Sequence, residues 1–285
     1  LSYIVDQSHQ YIDDNPNPGY ITHIGKVGAE DIGVFTKRMM QFFGNSADNS
    51  ELVRESGVTN ISVKQDGTTL DVVFLNRSAS YNNTFGYYYY KTGEGVDPAK
   101  VKKYIVFPNV MMVSQELYNE SILKCGDKVR LCYFGEDGKA SQTFPKGYTV
   151  GWFIYADGFN GYYHDYDVKE NEIRTKELRT SNEAFGNLNG FVSVKDEKSG
   201  KTIIGVEDGA NQSYCDLLFY VDATPEGSID DPDRPIIKPD DGKDDPETDP
   251  VEPLKGTLAF EDIWPSGGDY DMDDVIVEYL SLIHI

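Results

Sequence analysis

From residue 58 onward, apolar side chains fall at alternate positions in short runs separated by Gly, Asp, Asn and Pro. That is the spacing of strands rather than helices. Residues 61–64 and 70–74 flank Asp66-Gly67, a two-residue turn signal that predicts a hairpin between them. Residues 85–90, 104–107 (stopped by Pro108) and 128–133 predict three further strands. Residues 149–155 are apolar almost throughout, which predicts a central strand buried on both faces. Residues 190–194 and 201–206 predict a second hairpin about Ser199-Gly200, and 215–221 completes the set. Residues 30–43 have helical spacing: Phe35, Met39 and Phe42 form a stripe, Gly44 stands at the C-cap, and Lys37-Arg38 forms the solvated face. Asp97-Pro98 predicts a single helical turn with Asp as N-cap. The predicted fold is all-β: an antiparallel β-sandwich of jelly-roll character over roughly 58–221, with one or two short helices.

The same pattern divides the chain. Residues 1–50 hold an irregular Asn-, Pro- and Tyr-rich stretch (1–28) and the helix, and 51–225 form the sandwich. Residues 226–255 carry six prolines and eleven acidic residues against four basic, too little apolar surface to fold, and predict an extended linker. Residues 256–285 open a second β domain with a strand, an acidic loop and another strand, too little for a core of their own. The last six residues, 280–285, read as translated adapter sequence and are set apart from the fold. With a first residue that is Leu rather than Met, this points to a fragment.

One motif occurs twice. Ile204-Gly205-Val206-Glu207-Asp208 leads through Asn211, Ser213 and Cys215 to Asp216-Leu217-Leu218-Phe219. Leu258-Ala259-Phe260-Glu261-Asp262 leads through Asp269, Asp271 and Asp273 to Asp274-Val275-Ile276-Val277. Each copy is a strand, Glu-Asp, a polar loop, Asp and a strand. Clustered carboxylates on a short loop are what Ca²⁺ needs, because it takes several oxygen ligands from flexible loops. Calcium is the expected cofactor, with Glu261, Asp262, Asp269, Asp271, Asp273 and Asp274 as ligands in the second copy. Glu207, Asp208 and Asp216 are the corresponding metal candidates in the first. Their first expected role is structural, accepting backbone N–H groups of the loop. The second copy carries more charge and should bind more tightly. An acidic turn without metal is the competing reading of both. The Asp269, Asp271, Asp273 spacing matches the start of an EF-hand, but Asp274 stands where Gly is needed and Leu280 where the bidentate Glu belongs. A helix–loop–helix hand is therefore excluded.

The chain has 285 residues and a formal net charge of −22. So acidic a surface argues against nucleic acid and anionic membranes as partners, and no apolar run is long enough for insertion into a bilayer. Cys125, Cys132 and Cys215 form no disulfide framework; they read as three small buried thiols, with a Cys125–Cys132 pair as the alternative. Esterase, zinc-protease and phosphate-loop motifs are missing, and no catalytic residue is assigned.

The repeated motif, with Ile263-Trp264-Pro265 and Gly268-Asp269-Tyr270-Asp271-Met272-Asp273-Asp274, resembles the opening of the LruC domain of secreted or surface-anchored proteins of Gram-negative bacteria. Residues 79–89, 147–153 and 205–208 with 216–219 resemble the β-rich domain of unknown function that often precedes it. The resemblance implies a secreted or cell-surface location and no established enzymatic activity. The expected function is a non-catalytic β-sandwich module, calcium-binding through its acidic inter-strand loops, in adhesion or structure. Its partner would be a surface glycan or another surface protein. The alternative is a carbohydrate-binding module using exposed aromatics. Its candidates are Tyr87 to Tyr90 and Tyr162, Tyr163 and Tyr166, with Trp152 expected in the core instead. Asp157, Asn160, Asp165 and Asp167 make that last loop a further cation candidate. A glycoside hydrolase is the minor alternative, since paired carboxylates abound.

Overall fold

A computed structural model describes residues 21–44, 47–53, 59–79, 81–107, 109–110, 123–159, 173–186, 190–209 and 211–238, and the backbone alone of 2–3, 54–55, 254–260 and 275–281. Two compact units result, residues 1–239 and 240–285. The first begins with β1 (Ser2–Tyr3), β2 (Ile21–His23), β3 (Lys26–Val27), β4 (Glu30–Asp31), helix α1 (Ile32–Phe42) and the short α2 (Leu52–Glu55). It continues with β5 (Ile61–Ser62), β6 (Thr69–Asn76), β7 (Thr84–Lys91), β8 (Lys103–Phe107), β9 (Asp127–Arg130), β10 (Tyr133–Phe134) and β11 (Ala140–Ser141). It ends with β12 (Tyr148–Tyr155), β13 (Leu178–Thr180), a 3-10 turn (Glu183–Phe185), β14 (Phe191–Asp196), β15 (Thr202–Val206), β16 (Leu217–Thr224) and β17 (Ile236–Ile237). The second unit is a hairpin of β18 (Leu254–Phe260) and β19 (Val275–Ser281).

The first unit is a mostly β sandwich, antiparallel except for the edge pairs β1–β8 and β14–β17. Among the described residues one sheet runs β1-β8-β7-β12-β13, with β5 also on β12, and the other runs β17-β14-β15-β16-β6-β9-β2. Strands β6 and β9 are neighbours in the second sheet, while β7 and β8, between them in sequence, are neighbours in the first. The chain thus crosses to the other sheet, turns, and comes back.

Alternation along the strands explains their composition. In β6, Leu70, Val72 and Phe74 enter the core between the sheets, whereas Val73 and Leu75 face the other way, under α1. In β12, Val150, Trp152 and Ile154 point inward, and Phe153 and Tyr155 pack outward with Phe159 and Ile173. Both faces of each central strand are covered, so both must be apolar. The first sheet also needs two glycines: a Cβ on Gly86 would lie 2.2 Å from the Tyr104 carbonyl oxygen, and one on Gly151 would lie 2.4 Å from the Tyr88 ring.

Helix α1 covers the second sheet through Phe35, Met39 and Phe43; Phe42, placed in the stripe by sequence, is only partly buried. Asp31 caps it, its Oδ1 accepting from Gly33 N at 2.9 Å. Gly44 follows the C-cap Phe43 without a left-handed conformation, contrary to its assignment as the cap. Arg38 is not a solvated side chain. It donates to both carboxylate oxygens of Glu30 and, at 2.9 Å and 3.2 Å, to Asp196, whose side chain is wholly buried. It thereby pins the helix to the hairpin of β14 and β15.

Several expectations are corrected. The hairpin predicted about Asp66-Gly67 does not form: β5 pairs with β12 in one sheet and β6 with β16 and β9 in the other, so this turn passes the chain between sheets. Residues 21–28, expected to be irregular, contain β2, which pairs with β9, and β3. The cysteines, by contrast, are as expected: Cys125, Cys132 and Cys215 are free thiols, Cys215 buried and the other two half-buried. Residues 226–238 belong to the sandwich rather than to a linker. Asp230 exchanges hydrogen bonds with the backbone of Ser62 (2.7 and 2.9 Å), Arg234 donates to Ser193 Oγ (3.2 Å), and β17 pairs in parallel with β14. Averaging the acidic, proline-rich composition over the whole segment hides Ile229 and Ile237, which pack against the two cores. Residues 239–253 lie outside the described residues. In the second unit Leu280 and Ser281, set apart as tail by sequence, continue β19 opposite Lys255 and Leu254.

Arg38→Met leaves Asp196 buried without its cation. Urea unfolding is expected to show a loss of about 3 kcal/mol, whereas Lys37→Met, on the exposed side of the helix, should change little. A chain ending at Lys238 should unfold as cooperatively as the longer chain, and one ending at Ala223 at measurably lower urea.

Candidate metal centre

Strands β15 and β16 are antiparallel neighbours, and the loop joining them folds back on their ends. Val206 bridges Cys215, and Asp216 N donates to Val206 O at 3.0 Å. This return brings Glu207 and Asp208 to Asp216. One carboxylate oxygen of each lies within 4.8 Å of the others, and all three residues are buried. The loop takes two left-handed turns at non-glycine residues, Gln212 (φ 62°) and Tyr214 (φ 57°), conformations that need external support. Asn49 supplies it, donating from its backbone to Gln212 O (3.0 Å) and from its amide to Ser213 O (2.9 Å).

The carboxylates hold the loop together. Glu207 accepts from Gly209 N (2.9 Å) and Tyr214 N (3.3 Å), and Asp216 accepts from Asp208 N (2.7 Å). The other sheet closes the site. Asn83, just before β7, donates to Asp208 and accepts from Asp157 N beyond the end of β12 (3.0 Å), while Arg179 of β13 donates to the Asp208 carbonyl (3.0 Å). One end of the sandwich is therefore tied across both sheets through this cluster.

Burial makes the cluster expensive to ionise. It pushes the Asp216 carboxyl up to about 8, and the nearby Asp208 and Glu207 charges add to the rise despite the bond from Asp208 N. Burial also raises Asp208, against the pull of Asn83 and Arg179. Such a site is relieved by a proton or by a cation. Its described ligand atoms are carboxylate oxygens, which suit a hard cation such as Ca²⁺.

The two copies of the motif also agree in register. Ile204 faces Phe219 and Gly205 faces Leu218; at the matching positions Leu258 faces Val277 and Ala259 faces Ile276. The repeat is thus structural as well as sequential. Glu261, Asp262, Asp269, Asp271, Asp273 and Asp274 lie in the span closed by β18 and β19 but outside the described residues, as do Asn160, Tyr162, Tyr163, Asp165, Tyr166 and Asp167. Asp157 is described: it is left-handed (φ 47°) and pairs with Arg174 at 2.7 Å. Tyr87, Tyr88 and Trp152 are buried, which removes the first two as surface aromatics and puts Trp152 in the core as expected; Tyr89 also packs against the inter-sheet core. The participants that sequence does not reveal are Asn83, Asn49 and Arg179. They come from distant segments, and no spacing marks them.

The fold and this loop define an all-β sandwich module with buried carboxylates at one end. Residues 144–224, from the approach to β12 through β16 and including the whole acidic loop, match the family model described as Domain of unknown function (DUF4114). No curated protein and no solved structure matches the chain.

With their pKa values raised on folding, Asp208 and Asp216 bind more protons in the native than in the unfolded protein. In EDTA, stability should therefore fall as pH rises from about 4, where the unfolded carboxyls titrate, to about 8. Thermal melts across that range test the sign. Asp216→Ala removes the acceptor for the Asp208 N–H. It should cost about 1–3 kcal/mol and lower the melting temperature with or without calcium; a loss seen only in calcium would make Asp216 a ligand first.

Proposed function

We propose that this chain is a non-catalytic, calcium-binding β-sandwich module of a secreted or cell-surface protein, serving adhesion or structure. The observation that carries the reading is the buried meeting of Glu207, Asp208 and Asp216, three carboxylates with one guanidinium nearby, on a backbone carbonyl. Calcium would neutralise the cluster and complete its shell with water, since it takes six to eight oxygen ligands. Glu207 and Asp216 also accept from the loop backbone, and Asp208 from Asn83 of the other sheet, which supports a structural role for the ion: it would lock the end of the sandwich rather than activate a substrate. The shared register of the second copy supports a second site on the Glu261 to Asp274 loop, with the higher ligand charge. The motif's resemblance to LruC-domain proteins supports the secreted or surface location.

Calorimetry and thermal melts of the full chain at pH 7.5, in EDTA and in calcium, test this. At a hundredfold excess over its dissociation constant, calcium should stabilise by about 2.7 kcal/mol. Asp208→Asn should raise the melting temperature in EDTA, by relieving repulsion, and abolish the calcium response of the sandwich. Asp271→Ala should remove the binding heat that remains. Binding should weaken toward pH 5, as the proton competes. A full chain with neither heat nor calcium-dependent stabilisation would reduce both loops to acidic turns.

A further inference from the structure

The outward face of the first sheet carries a second group of polar side chains, far in sequence from the acidic loop and opposite in character. Tyr88 and Tyr90 stand on this face of β7, their rings stacked 6.2 Å apart. Tyr88 is buried, and Tyr90 is partly exposed. Asn182 Nδ2 donates to the Tyr90 hydroxyl at 3.2 Å, and Asn60 Nδ2 does so at 3.4 Å. Neither amide is free to turn over. Asn182 Oδ1 accepts from Ala184 N (2.9 Å), and Asn60 Oδ1 accepts from Ser181 Oγ. A phenol oxygen has two lone pairs, and here both are taken, so its own proton must be donated elsewhere. Among the described residues no acceptor stands opposite it.

Lys103 extends the group. It is paired with Tyr88 across β7 and β8, and its Nζ lies 5.1 Å from the centroid of the Phe185 ring, which packs on Tyr88. Among the described residues it has no carboxylate partner, although the chain has a net charge of −22. Its ammonium pKa is lowered by burial, with no acidic neighbour to offset it. Four chain segments thus bring together a phenol O–H, the remaining amide N–H groups and one ammonium, with the exposed Glu183 on the same turn as Asn182 and Phe185.

We propose that this patch binds a carboxylate-bearing saccharide, a uronic acid unit of a surface or extracellular glycan. The three donors about Tyr90 lie within the span of one sugar ring, and Lys103 stands about two residues along the sheet, roughly 7 Å away, where the carboxylate of the same or the next unit falls. An acidic peptide fits less well. The patch lies on the face of the sheet, where backbone groups are already paired, so strand addition is closed to it. This site is independent of the calcium reading.

The test is calorimetry in EDTA, which keeps calcium from bridging a polyanion to the acidic protein, with trigalacturonate, neutral maltotriose and triglutamate as probes. Trigalacturonate should bind at least tenfold more tightly than the other two. Tyr90→Phe and Lys103→Met, each checked by its melting curve, should weaken it at least tenfold, and Lys37→Met should leave it unchanged. Equal affinity for triglutamate would make the patch a generic anion or peptide site and overturn the proposal. So would absence of binding, equal affinity for maltotriose, or unaltered binding by a folded Lys103→Met protein. None of these outcomes bears on calcium binding by the two loops.

Discussion

Strand β12 is buried on both faces, and the rest of the molecule is arranged around that requirement. Toward the second sheet Trp152 stacks on Phe85 and meets Phe219 edge-on, at ring separations of 6.0 and 5.1 Å. Its indole N–H donates to the Thr59 carbonyl at 2.9 Å, so the one polar atom of the ring is satisfied inside the core. On the other face Phe153 must lie against the Gly86 backbone, and Tyr88 against Gly151. Burying side chains of this size is worth about 2–3 kcal/mol each, and only a sheet clad on both sides gathers that on both faces. The second sheet on one face of β12 and the aromatic cover on the other follow from it.

How much of this could be read from the sequence depended on the range of the interaction. Strand alternation and the doubly buried 149–155 segment are local properties, and they were legible. So was the pairing of Glu207-Asp208 with Asp216, because a repeat marks it. The Asp66-Gly67 turn misled because turn chemistry reports a reversal of the chain and not the sheet each arm will join. Arg38 reads as a solvated helix position until Asp196, far along the chain, buries its carboxylate beside it. Asn83 and Arg179 were invisible for the same reason: their partners lie across the gap between two sheets.

Charge is distributed with a logic of its own. The inter-sheet core and the outward aromatic layer are largely apolar, the carboxylates of the acidic loop gather at one end, and Lys103, on the first sheet's outward face, has no carboxylate partner among the described residues. A strongly acidic chain gains from such separation. Repulsion is concentrated at one loop, where a counter-ion would relieve it.

The common register of the two repeats bears on how such a module can change over time. Residues just beyond the strand ends, Glu207, Asp208 and Asp216 in one copy, are set by the ladder of the hairpin and by the return of the chain onto Val206. Ten residues bridge the strands in the first copy and fourteen in the second, yet the strands share their register as far as Gly205 and Ala259. Anchor and insert are therefore separable. Loop length and composition can drift, and with them the strength and selectivity of whatever the loop holds, while the frame that presents it stays fixed.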